Sequence, residues 1–259
     1  MLKTLRFLSR PSALLRLLLI GQCFFAVVAL AAPPFEWLDI RRKGADAIAE
    51  LARQRTAVKP WQRVYKAQVP TGHPLAGLQI AVARGFAGRP QLLVCVAAGP
   101  AQLVGTGVVI DGAKAWVRVV GEKAKPLPQE TLFRAQPLLD VPWILFCALE
   151  WGPQYTPTIE GEFDQVAVLR LTPRYELGVT ARAAKVSVSK IFGYLIASAI
   201  NDGKGNKLGE VDWQAFDAAG LPGEFLLRGP GDNAPMLRFV AEGPTTPPAK
   251  NAFTAGALK

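Results

Sequence analysis

The chain has 259 residues, half of them apolar and 9% aromatic, and a formal charge of +10. That length allows one large domain or two small ones, with apolar residues enough for a full core. The basic surplus is spread along the chain. Its longest cluster, Arg41-Arg42-Lys43, is followed by acids at Asp46 and Glu50, and no basic face with helical or aromatic readout accompanies it, so nucleic acid is excluded as a partner.

The N-terminus reads as an export signal. Lys3, Arg6, Arg10 and Arg16 precede an uncharged run from Leu17 to Pro34, and Ala29-Leu30-Ala31 supplies a small-x-small end. A basic n-region, an apolar h-region and such an end predict cleavage after Ala31 and a periplasmic or secreted product. Residues 1–31 are thus expected to be a signal peptide. The rival is an uncleaved anchor, since the uncharged run is near the lower limit for spanning a bilayer. Cys23 follows Gln22 inside this run, which argues against lipidation. Processing removes four positive charges and no acid, which leaves a modest surplus of +6.

Trp37, Ile40, Ala45, Ile48, Leu51 and Ala52 recur at helical spacing and predict one amphipathic helix from Trp37 to Arg55, ended before Pro60. The period then changes to two. Strands are predicted over Gln62–Val69, Leu78–Ala83, Gln91–Ala98, Gln102–Ile110 and Lys114–Val120, with Asp111-Gly112 closing the last pair as a tight hairpin. Short links marked by Gly or Pro make this an antiparallel meander. Pro126 and Pro128 punctuate the next link. A helical stretch from Gln129 to Leu139 follows, then a second helix from Trp143 to Trp151 with Pro142 at its first position. This second helix is apolar on every side, so it is either buried in a core or covers a cavity. Strands resume at Thr158–Phe163, Gln165–Leu171, Ala184–Lys190, Gly193–Asn201, Leu208–Phe216, Gly223–Arg228 and Met236–Ala241. Pro, Thr and small residues after Gly243 predict a disordered tail, 243–259. The predicted class is α+β: one large curved antiparallel sheet over residues 32–242, with helices packed on its concave face. A split into two domains near 152–157 is the alternative.

No nucleophile elbow, phosphate-cradling loop or paired-histidine metal motif occurs. The single histidine, His73, sits in the turn Thr71-Gly72-His73-Pro74. Glu160 and Glu162 lie two apart on a strand and therefore share one face, where charges are normally solvated. Asp202, Asn206 and Glu210 lack calcium-loop spacing. The chain does not read as an enzyme, and no metal or cofactor is expected. Cys95 and Cys147 both lie in apolar runs. They are either two buried small hydrophobes or, in an oxidising compartment, a disulfide pair.

The order of elements resembles the outer-membrane lipoprotein carriers, the LolA/LolB-like family. The matching residues are Arg89-Pro90 opening a strand, Val109-Ile110-Asp111-Gly112-Ala113-Lys114-Ala115-Trp116 as a hairpin, and Lys185-Val186-Ser187-Val188 leading through Ile196–Asn201 to Asp202-Gly203-Lys204. The resemblance implies an unclosed half-barrel with helices as a lid over an apolar cavity for acyl chains. It implies that Arg89 holds the lid closed, and that the partners are lipoprotein or lipid acyl chains and an outer-membrane acceptor protein. Leu138, Leu139, Trp143, Phe146 and Leu149 would then form the lid side and Trp116, Val188 and Ile196 the sheet side, unless these residues simply fill a core. The readings that follow are a periplasmic carrier or chaperone in lipoprotein sorting, a lipid- or lipoprotein-sensing module of the same fold, or a secreted structural protein with a packed interior.

Overall fold

The structure is a computed structural model. It describes residues 36–56, 59–86, 90–112, 114–127, 155–173, 181–202, 204–217, 220–231 and 235–258. Residues 35–259 form a compact unit of their own.

Two helices open this unit, α1 (Trp37–Arg42) and α2 (Ala45–Thr56). The sequence pattern predicts one continuous helix, and the break falls at Gly44, whose φ is +93°. Only glycine takes that conformation at low cost. The apolar stripe survives the break: Ile48 and Ala52 of α2 are fully buried, and Trp37, Ile40, Ala45 and Ala49 pack around them.

The described residues then form thirteen strands in a single antiparallel sheet. They are β1 (Trp61–Gln68), β2 (Gln79–Phe86), β3 (Pro90–Ala98), β4 (Gly107–Asp111), β5 (Lys114–Arg118), β6 (Lys125–Leu127), β7 (Tyr155–Glu162), β8 (Val166–Pro173), β9 (Ala181–Ser189), β10 (Leu195–Asp202), β11 (Lys207–Phe216), β12 (Pro222–Arg228) and β13 (Met236–Thr246). Their spatial order is β6-β5-β4-β3-β2-β1-β13-β12-β11-β10-β9-β8-β7. The first and last strands are therefore neighbours at the centre, and the two edges, β6 and β7, are consecutive in sequence. The sheet is not closed into a barrel, and its helices lie on the concave face, the expected class.

Local chemistry accounts for the turns. Asp111 pairs with Lys114 across the predicted hairpin, where Gly112 takes a φ of +60°. In the β10–β11 hairpin, Asp202 Oδ1 accepts hydrogen bonds from the backbone N–H groups of Lys204 and Asn206, both at 2.8 Å. An aspartate that folds its own turn in this way needs no bound ion. The edges are blunted, as open sheets require. β6 is three residues long and contains Pro126, and β7 carries Pro157, Glu160 and Glu162.

The tail corrects the expectation of disorder after Gly243. β13 runs to Thr246, and the chain continues along the sheet to a 3-10 turn at Ala255–Ala257. Thr246 Oγ1 donates to Gln62 O, and the Ala249 N–H donates to Gln62 Oε1. Ala252 and Leu258 are buried against Ala83, Leu93 and Val109. Small residues suit this role, because Ala and Gly allow close approach to a sheet surface that bulkier ones would stand away from.

Candidate functional site

Two apolar faces share the sheet. Alternation along each strand puts Leu92, Val94, Val108, Ile110 and Ala115 on the face that also carries Tyr65, Val186, Val188 and Ile200, and α2 lies on that side. This is the concave face and the candidate binding surface. Its apolar character runs from Ala115 on β5 to Tyr155 on β7, without interruption by a paired edge.

At the centre of this face stands an aromatic cluster from four adjacent strands. Phe225 stacks on Phe239 with ring centroids 4.7 Å apart, meets Tyr65 edge-on at 4.9 Å, and lies 5.5 Å from Trp213. Tyr65 and Phe225 have no exposed surface. Such pairs add to the burial of their area through the quadrupoles of the rings. The Tyr65 hydroxyl donates to the Pro222 carbonyl at 2.8 Å, and burial, only partly countered by the neighbouring Arg63 charge and hydrogen bond, pushes the phenol pKa far up. It stays a neutral donor at all ordinary pH.

Beside it, Arg63 is buried on the same face. Its Nη1 donates to Pro222 O at 2.8 Å, and its Nη2 reaches Asp217 Oδ2 at 3.2 Å. Arg84, on β2 and also buried, follows the same alternation, since it lies opposite Trp61. Sequence reasoning missed both arginines and the aromatic cluster. The signal was present in β1, where Trp61, Arg63, Tyr65 and Ala67 alternate on one side and all are buried. Yet an arginine in an alternating strand reads as the solvated face unless the other members of its row are weighed with it.

α2 is seated by a close approach. A Cβ on Gly193 would lie 3.2 Å from Leu51 Cδ2 and Cγ and 3.3 Å from Arg55 Cγ, and Gly193 has a φ of +72°. Both its missing side chain and its conformation are used. α1 is fastened at the end of β7, where Arg41 Nε donates to Glu162 Oε1 at 2.5 Å and Lys190 Nζ stands 3.5 Å from Glu162 Oε2. Burial works to raise the Glu162 pKa, but these two cations more than offset it and hold the carboxyl below its ordinary value.

Of the residues expected to line a cavity, Val188 is fully buried on the concave face. Ile196 is half-buried at a register shift between Leu195 and Ala197. Trp116 sits on the opposite face. It lies across from Val109, which lies across from Leu93, and these pack with Ala252, Phe253 and Leu258 of the tail. Alternation fixes which residues share a face within a strand, and here Ala115, not Trp116, points to the concave side. Leu138, Leu139, Trp143, Phe146, Leu149, Cys147 and Arg89 lie outside the described residues. Cys95 is a half-buried free thiol whose pKa is raised by burial. Among the described residues no group of His, Cys, Asp and Glu could hold a metal ion.

No protein-family model matches the chain, and no curated protein matches its sequence. Solved structures do match. A LolA superfamily protein from Nitrosomonas europaea aligns with a TM-score of 0.57 at 15% identity, covering 82% of this chain and 97% of the other. An outer membrane lipoprotein-sorting protein domain from Vibrio parahaemolyticus gives 0.57 at 13% identity, covering 84% and 98%. A DUF1329 family protein from Desulfovibrio piger gives 0.58 at 13% identity, covering 83% and 99%. These neighbours are matched over nearly their whole length, in the arrangement that the Asp-Gly hairpin and the alternating strands of the sequence resemble. The chain has the LolA-like fold.

Proposed function

We propose that this protein is an envelope carrier that takes up acyl chains of a lipoprotein, or of another lipid, against the concave face of the open sheet and delivers them to an outer-membrane acceptor. The observation that carries this reading is that, among the described residues, the edge strands β6 and β7 do not pair, beside a continuous apolar face. A sheet whose edges do not meet can admit a long apolar ligand from the side, which a closed, filled barrel of this size cannot. Each buried methylene contributes about 0.8 kcal/mol, so a chain of about sixteen carbons gains on the order of 10 kcal/mol before the cost of ordering it. The fold likeness to a lipoprotein-sorting domain points the same way. So does an N-terminus built like an export signal, which would place the mature chain in the periplasm.

The test is chemical. Protein purified from its native envelope is extracted and its apolar molecules are identified by mass spectrometry, and transfer of the bound lipid to acceptor membranes is then followed over time. Co-purifying acyl lipid that moves to the acceptor is the expected result. Stable binding without transfer would instead mark a sensor of the same fold, and absence of any bound lipid would leave a filled structural core.

A further inference from the structure

The rim of the sheet that carries the turns after β7 and β9 displays four large apolar side chains. Phe163 is 67% exposed, Leu38 63%, Ile191 49% and Phe192 40%. Single exposed apolar residues are ordinary, and turns are normally polar. Four on three neighbouring segments are neither.

These segments are also locked together. Lys190 Nζ donates to Phe163 O at 2.8 Å, and the Lys190 N–H donates to Gln165 O at 2.8 Å, which joins the two turns. The same ammonium lies 5.8 Å from the Trp37 ring and 3.5 Å from Glu162, to which Arg41 of α1 is bound. Ser189 Oγ accepts the N–H groups of both Ile191 and Phe192. The Phe192 ring stacks on Tyr194 at 6.0 Å, and Tyr194 stacks on Phe216 at 5.4 Å. The backbone of the turns that carry these side chains is thus ordered before any partner arrives, which lowers the cost of binding.

Three observations choose the occupant. The apolar groups sit on turn tips and on a helix of six residues, short projecting elements suited to entering a soft surface. The carboxylates Asp39 and Glu162 are bound by Arg42, Arg41 and Lys190, so they do not oppose approach to a weakly anionic surface. Finally, Arg41, Arg42 and Lys43 are all exposed at the end of the helix that carries Leu38, and basic residues are favoured at the lipid headgroups.

We infer that this rim is a bilayer-docking surface, with Leu38, Phe163, Ile191 and Phe192 entering the headgroup region. The inference is independent of what the concave face carries.

The compact unit Phe35–Lys259 is mixed with vesicles of phosphatidylethanolamine and phosphatidylglycerol and its flotation with them is measured. The chain is expected to float with the vesicles at low and at high salt, because apolar insertion is not screened. The triple variant Phe163→Ser, Ile191→Ser, Phe192→Ser is expected to lose about tenfold or more of the bound fraction, with unchanged circular dichroism, since these side chains are largely solvent-facing. Failure of the parent chain to float, equal flotation of the variant, or loss of binding in salt alone would each overturn the proposal. A dimer in solution that the variant abolishes, without vesicle binding, would overturn it in favour of a second copy of the chain.

Discussion

Whether the concave face is packed or partly open can be decided at Phe225. Its ring is fully buried between Phe239, Tyr65 and Trp213, at centroid distances of 4.7, 4.9 and 5.5 Å. If those contacts enclose a packed interior, Phe225→Ala leaves a ring-sized void and costs about 3–5 kcal/mol. Against a total stability of about 5–15 kcal/mol, that is a large share, and for a chain of this length it lowers Tm by roughly 6–20 °C. Urea unfolding followed by circular dichroism gives the number, with an unchanged slope showing that two-state unfolding survives. Phe163→Ala, at a position mostly in solvent, is the control and should change stability by less than about 0.5 kcal/mol. A cost below about 1 kcal/mol for Phe225→Ala would refute the packed cluster. The rings would then border unfilled space, and the cluster would belong to the lining of a cavity.

Two further substitutions probe other contacts. Gly193→Ala places a methyl group against Leu51 and Arg55 in a left-handed backbone conformation; a loss of about 1–2 kcal/mol from the backbone alone is expected in thermal unfolding, and an unchanged Tm would mean that α2 is not seated there. Asp212 has a pKa raised first by burial and then by the charge of Glu210, against the opposing pull of Arg228 and Lys207. A carboxyl raised in the folded state favours folding while protonated and opposes it as pH rises through that value. Asp212→Asn should therefore raise Tm at neutral pH and lose the gain toward about pH 4, and a lowered Tm at neutral pH would show that its carboxylate is on balance stabilising.

The strands were legible because period two is written plainly in segments such as Lys185-Val186-Ser187-Val188 and because Asp111-Gly112 announces its turn. Alternation alone does not say which of the two sets faces the helices. In β5 that choice goes to Ala115, and Trp116 turns to the face covered by the tail. The tail itself misled because Pro, Thr and Ala signal disorder when read locally, while its anchoring partner Gln62 lies on the first strand. β6 was hidden by Pro126, tolerable because the strand is an edge. Arg63 was hidden because burial of an arginine depends on acceptors distant in sequence, Pro222 O and Asp217. The helix break at Gly44 was visible in principle, as a glycine within a helical pattern.

The pairing of β1 with β13 makes the strand order cyclic. Every pairing in the sheet joins strands adjacent in sequence, with one exception, the central seam, where Thr246 meets Gln62 across 184 residues. Each half can therefore zip up by local hairpins, but the two halves join only when the last strand arrives. Closing so distant a contact is the slow step for a chain of this topology. A chain threaded through a membrane from its N-terminus would remain in two unfinished halves until β13 emerged, and its concave face would be completed last.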